Sequence, residues 1–172
     1  MFYSLRTNLT CLEAARPYET RESIKPLRDE NMTPEENKGL VYRFVEAIFN
    51  RGMLDRLPAF IALNAVEHVS ILGEEHGIDG MKEEYALLLM AFPDLHFTVE
   101  AMVAEGDMVA WRWTMRGVHK GVYREYPPTK REIALKGVSF ERIAGDKITE
   151  RWANLPECEI LRQIGAAYGS RK

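Results

Sequence analysis

The chain has 172 residues, enough for one domain with a real core, and combines 46% hydrophobic with 28% charged residues, the composition of an ordinary globular protein. The net charge of −3 comes with no basic block or stripe, so nucleic acid is not an expected partner, and the acidic excess is too small to specify a basic one. No apolar run reaches the roughly 18 residues of a membrane helix, and the two cysteines, Cys11 and Cys158, show neither metal-ligand spacing nor a disulfide framework. A cytoplasmic location is therefore expected, with no metal and no membrane contact; the N-terminus also lacks the apolar core of a secretion signal.

Residues 1–31 mix charges of both signs with prolines and show no apolar period. They read as a loosely attached extension, or else as an extra helix on the domain edge, with the domain itself spanning 32–172 and Met32 a possible start. "TPEE" then opens a helix: Thr33 is an N-cap, Pro34 suits the first helical position, and Glu36 completes a capping box. Leu40, Val41, Phe44, Val45, Ile48 and Phe49 recur at helical spacing until "NRG" stops the run. "MLDRLPAFI" predicts a second short helix and "NAVEHVSIL" a short strand. A third helix is expected from Ile78 to about Phe92, ending before Pro93.

The second half reads as β. "DLHFTVEAMVAE" and "MVAWRWTMRG" alternate about a Gly106–Asp107 hairpin signal. "REIALKGVSFERI" turns at "AGDK" into "ITERWAN", and a helix from about Glu157 to Ala167 closes the chain. Helices first and hairpins second predict an α+β fold with a twisted antiparallel meander. Its concave side can wrap the helices and leave a hollow between the layers.

In this order and spacing, "AFPDLHFTVEAMVAEGDMVAWRWTMRGVHKG", "PPTK", "GVSFERIAGDKITERW" and "LRQIG" resemble the SnoaL-like polyketide (ester) cyclase family, of the nuclear-transport-factor-2-like group. The resemblance runs from about Pro34 to Gly165. It implies a cone-shaped curved antiparallel sheet around N-terminal helices with a C-terminal helix, a deep pocket, frequent homodimers, and aldol ring closure without metal or organic cofactor. The implied ligand is a small hydrophobic carbonyl compound. His68 in "VEHVS", His119 in "GVHKG" and Trp152 in "ERW" match family positions individually. Two positions depart: Lys130 stands where members often carry Gly, and Pro156 stands where the cyclases place an acid/base Asp, four residues after the Trp.

Aldol closure needs a base for a proton next to a carbonyl and a donor for the resulting oxyanion. The expected catalytic groups are His119 and His68, with Glu157 as a substitute acid/base, and Trp152, Trp113 and Tyr123 as substrate-binding walls. Each has a plainer alternative. His119 could be a loop histidine bonded to backbone, and His68 a satisfied strand end. The Trp111/Trp113 stripe could be core, and Glu157 could serve only the helix dipole. His96 reads as structural and His76 as exposed. An epoxide-opening site would need an Asp–Arg–Asp cluster in the pocket, and Arg112 has no flanking Asp. The alternative to an enzyme is a non-catalytic small-molecule-binding protein of the same fold.

Overall fold

Thr33 opens the first helix as expected. Its hydroxyl accepts the Glu36 N–H at 3.3 Å, and the Glu36 carboxylate accepts the Thr33 N–H at 2.7 Å. This helix, α1 (Pro34–Val45), buries Leu40, Val41, Phe44 and Val45. In the computed structural model, which describes residues 32–69, 74–153 and 155–166, it widens into a π-helical turn over Glu46–Asn50 that buries Ile48 and Phe49. The expected extension over 1–31 lies outside the described residues. The second short helix is a 3₁₀ turn, Leu54–Ala59, with Pro58 inside it.

The strand expected at 64–72 begins earlier, as β1 (Ile61–Val69). A three-residue strand that the sequence reading did not separate, β2 (Glu74–His76), pairs back onto it. Then follow α2 (Ile78–Ala91), β3 (His96–Glu105), β4 (Met108–Val118), β5 (Glu132–Ala144), β6 (Lys147–Ala153) and α3 (Glu157–Ile164). The six strands form one sheet in the order β2-β1-β6-β5-β4-β3, antiparallel except where β6 lies parallel to β1. One face carries Phe97, Val109, Trp111, Trp113, Met115, Ile133, Leu135 and Ile143, all buried in one core with the helices. The fold is therefore the expected α+β arrangement, with a layer of helices on one side of the sheet.

β6 contains a bulge. Ile143 pairs with Ile148 and Arg142 with Glu150, so Thr149 is an extra residue on β6. Strict alternation from Ile148 would send Glu150 and Trp152 inward. The bulge reverses the parity and turns Arg151 to the buried face, with Trp152 on the other.

The "GVHKG" segment docks the end of β4 on the C-terminus of α2. The N–H groups of Lys120 and Gly121 both donate to the Ala91 carbonyl at 3.0 Å, satisfying an acceptor that the helix leaves open. A Cβ on Gly121 would stand 2.0 Å from the Met90 carbonyl oxygen, so only glycine allows this approach. Lys130, where relatives often carry Gly, keeps a left-handed backbone (φ 60°) and donates its N–H to the His119 carbonyl. Gly121→Ala is expected to lower unfolding stability by about 2 kcal/mol or more through this clash. Gly39→Ala, in the interior of α1 and facing only the mobile end of Arg43, should raise it by roughly 0.5–1 kcal/mol. Urea unfolding of the two variants tests the contrast.

Candidate active site

Between the sheet and α2 lies a cavity of about 370 Å³. Phe49, Leu88, Phe97, Trp113, Ala153 and Leu155 supply its apolar walls. Two of these are set by specific devices. Asn50 clamps the backbone of Phe97 on the edge strand β3, accepting its N–H at 2.7 Å and donating to its carbonyl at 3.1 Å. Trp113 lies across Gly137, its cross-strand partner, where an added Cβ would meet the indole at 2.2 Å. The indole N–H donates to Ser139 Oγ at 3.1 Å.

The base of the cavity holds a buried charge cluster. Arg151 Nε stands 2.8 Å from Glu67 Oε1 in an ion pair whose N–H is out of line for a hydrogen bond. Tyr85 donates its hydroxyl to the same Glu67 oxygen at 2.9 Å. Behind Arg151, Glu141 Oε1 lies 3.9 Å away and accepts the Trp111 indole N–H at 3.1 Å. The guanidinium also lies over the rings of Phe44, Phe49 and Tyr85, 5.2 to 5.9 Å from their centroids. One cation faces two carboxyls here. Burial accordingly pushes the Glu141 carboxyl up to about 7, with the Arg151 charge opposing that shift. Burial likewise holds Tyr85 as a neutral phenol. His76 in β2 is the cross-strand partner of Glu67 in β1, and its side chain also lines the cavity.

A second polar group lies toward solvent. Arg124 bridges Glu84 of α2 and Glu157 in the first turn of α3, each at 2.8 Å, and all three line the cavity. Tyr123 lines it too, its ring packed on Phe92 and nearly fully buried.

Three expected site residues, Trp113, Tyr123 and Glu157, thus share this cavity. The other three do not line it. His119 is fully buried beside Phe92, and its Nδ1 accepts the Thr129 N–H at 3.2 Å. Burial lowers its proton affinity and keeps it neutral. His68 and Trp152 stack on each other at 5.1 Å on the opposite sheet face, where His68 pairs with Glu150 at 2.9 Å and Arg142 lies over the Trp152 ring. The two expected imidazoles therefore do not converge on this cavity: on β1 the alternation that turns Glu67 inward turns His68 outward, and the glycine-flanked loop that carries His119 serves docking. His76, read from sequence as exposed, is the imidazole in the cavity wall. The carboxylate–guanidinium–carboxylate cluster sought around Arg112 exists around Arg151 instead, with Glu in place of Asp.

The raised Glu141 value fixes the sign of a pH effect. The folded state holds a proton there that the unfolded chain releases near 4.5, so this contribution to stability is complete below pH 4.5 and is lost as pH rises to about 7. Its size is on the order of a few kcal/mol. His119 acts oppositely, favouring the folded state as pH rises. Glu141→Gln should remove the downward slope of stability between pH 4.5 and 7 while leaving the His119 contribution. Denaturant unfolding across that range, variant against parent, measures the difference.

Among the described residues, no group of three or more His, Cys, Asp or Glu is placed to hold a metal ion, and no helix is long and apolar enough to cross a membrane. Residues 39–164 match the family model of the SnoaL-like polyketide cyclases. Among solved structures, AclR of Streptomyces galilaeus, a candidate hydroxylase, is 27% identical over 77% of this chain and 98% of its own, with a TM-score of 0.71. IdmH of Streptomyces antibioticus, a candidate polyketide cyclase, is 28% identical over 76% and 99%, with a TM-score of 0.67. A SnoaL-like protein from Jannaschia shares the fold at 21% identity, covering 81% and 98% with a TM-score of 0.70. No curated protein matches the chain.

Proposed function

Because the chain belongs to the SnoaL-like polyketide cyclase family, we propose that it is an ester- or polyketide-cyclase-type enzyme that removes a proton next to a carbonyl of a small hydrophobic compound. The observation that carries this reading is the closed end of the cavity, where an apolar chamber terminates in Arg151, Glu67, Tyr85 and the adjacent His76. Low polarity there strengthens the pull of the guanidinium on an oxygen that gains negative charge.

In the proposed step, His76 takes the proton from carbon, and the C–H electron pair moves into the carbonyl to give an enolate held by Arg151. The enolate carbon then attacks a second carbonyl of the same molecule, forming the ring C–C bond, and the new alkoxide takes a proton. Atoms and electrons balance without an oxidant or reductant. Glu67 and Tyr85 fix the guanidinium and do not themselves carry the proton. The cavity lining holds three carboxylates, Glu67, Glu84 and Glu157, against two guanidinium groups, an excess of one negative charge (three minus two). That balance favours an uncharged substrate, an ester rather than a free acid.

Glu157 is committed to Arg124 and completes the first turn of α3, which supports an orienting role at the mouth more than proton transfer. Water addition to an epoxide is the other use of a carboxylate–guanidinium–carboxylate cluster, but Glu141 stands behind Arg151 rather than in the wall. A non-catalytic binder would instead release its ligand unchanged.

The test is incubation with a polyketide-like β-keto ester bearing a second carbonyl. The expected product is a ring isomer or its dehydrated form, and His76→Asn or Arg151→Lys should each slow its formation by about 100-fold or more. His119→Ala should lower stability but leave turnover per folded molecule unchanged. Recovery of intact substrate after prolonged incubation would favour the binder.

The reading includes a homodimer in the cytoplasm. Cross-strand neighbours Val103, Ala110, Phe140 and Trp152 form an apolar row over four strands of the outward face, with Val103 67% and Phe140 46% exposed. A second copy covering this row accounts for an apolar surface on the sheet. Phe140→Glu should shift the sedimentation coefficient from dimer to monomer.

A further inference from the structure

Two polar groups in the cavity wall lack what buried groups almost always have. Arg151 Nη1 at the base and the Tyr123 hydroxyl near the mouth are buried and make no well-aligned hydrogen bond among the described residues; the Arg124 guanidinium acts on the Tyr123 oxygen, which leaves the phenol O–H without an acceptor. Both side chains are at least nine-tenths buried and both line the cavity. A buried donor left without an acceptor is a standing loss to the free protein. The two lie toward different ends: Arg151 sits among Phe44, Phe49 and Glu67, whereas Tyr123 adjoins Arg124, which reaches the half-exposed Glu84 and Glu157. Between them the wall is apolar, formed by Leu88, Phe97 and Trp113.

We propose that the cavity recognises an uncharged, largely apolar ligand with two oxygen acceptors, one taken by Arg151 at the base and the other by the Tyr123 hydroxyl near the mouth. This rests on reading the cavity as a carbonyl site and adds a second, spatially separate recognition point. Tyr123 is then a binding group through its O–H and not only a ring in the wall. Burial keeps it a neutral phenol, so it donates a hydrogen bond and repels no ligand oxygen. The apolar span between the donors selects a flat or aromatic spacer over a polar chain.

Calorimetric titration with acetophenone, meta- and para-diacetylbenzene, diacetylnaphthalene and terephthalate tests this. At least one diacetyl compound should bind about five-fold or more tightly than acetophenone, the worth of one neutral hydrogen bond, and terephthalate should bind more weakly than its diacetyl counterpart. Tyr123→Phe should weaken the diacetyl compounds more than acetophenone, bringing the ratio of their affinities down to about one. The same variant should unfold at an equal or higher denaturant concentration without ligand, because it removes a buried O–H that has no acceptor. A second variant, Arg151→Lys, should weaken acetophenone itself.

Equal affinity for acetophenone and every diacetyl probe overturns the proposal while leaving the carbonyl site in place. A loss of ligand-free stability in Tyr123→Phe also overturns it, since the hydroxyl would then have a structural partner. Failure of all the ketones to bind overturns it together with the carbonyl reading.

Discussion

Arg151 is the constraint around which the interior is arranged. A guanidinium cannot be neutralised at any pH that a protein tolerates, so burying one obliges the fold to supply counter-charge and aromatic cover. Glu67 gives the first, Glu141 stands behind as a second carboxyl, and the rings of Phe44, Phe49 and Tyr85 give the cover. These come from α1, the π-helical turn, α2, β1 and β5, so one side chain ties most of the elements to a common centre. Burial is the main cause of the raised Glu141 value, with the Arg151 charge and the Trp111 hydrogen bond opposing it and the neighbouring Glu67 adding to it. Isolated from water, the same cluster can act on a ligand only by its orientation and field, the preorganised electrostatics that enolate chemistry exploits.

Much of the architecture was legible in the residues. The capping box at Thr33–Glu36, the end of α2 before Pro93, the Gly106 hairpin and the alternating tryptophans of β4 all stand where their local chemistry places them. The elements that escaped are those without a local signal. β2 is only three residues long and exists because β1 offers it a partner. The π-helical turn after α1 keeps the helical apolar spacing, so a sequence pattern cannot distinguish it from continued α-helix.

The site was less legible, for a related reason. Trp113 and Tyr123 lie in the wall as expected, Trp113 because its place follows from the strand period, and Glu157, expected as an acid/base, joins them at the start of α3. Trp152 and Arg151 were exchanged in role by one extra residue at Thr149, and alternation carries no mark of a bulge. Glu67 was available in principle: it falls in step with Ile61 and Ala65 on the inward side of β1, and a carboxylate in that register asks for a buried cation. His119 sits within a motif whose two glycines suggested a loop shaped for chemistry. They serve closeness instead, since Gly121 abuts the last turn of α2 and Gly117 abuts Phe92 and Leu95.

Gly137 leads to one more consequence. The position of the Trp113 indole depends on the absence of any side chain opposite it, so the capacity of the chamber is encoded at a residue that contributes no surface of its own. A methyl group there would tip the indole and resize the interior without changing the chemical character of its lining. Relatives with the same walls but a different residue at this point would accept ligands of different girth. For the enzyme proposed above, size selectivity would change by a single substitution on a strand, at a distance from the groups assigned to the chemistry.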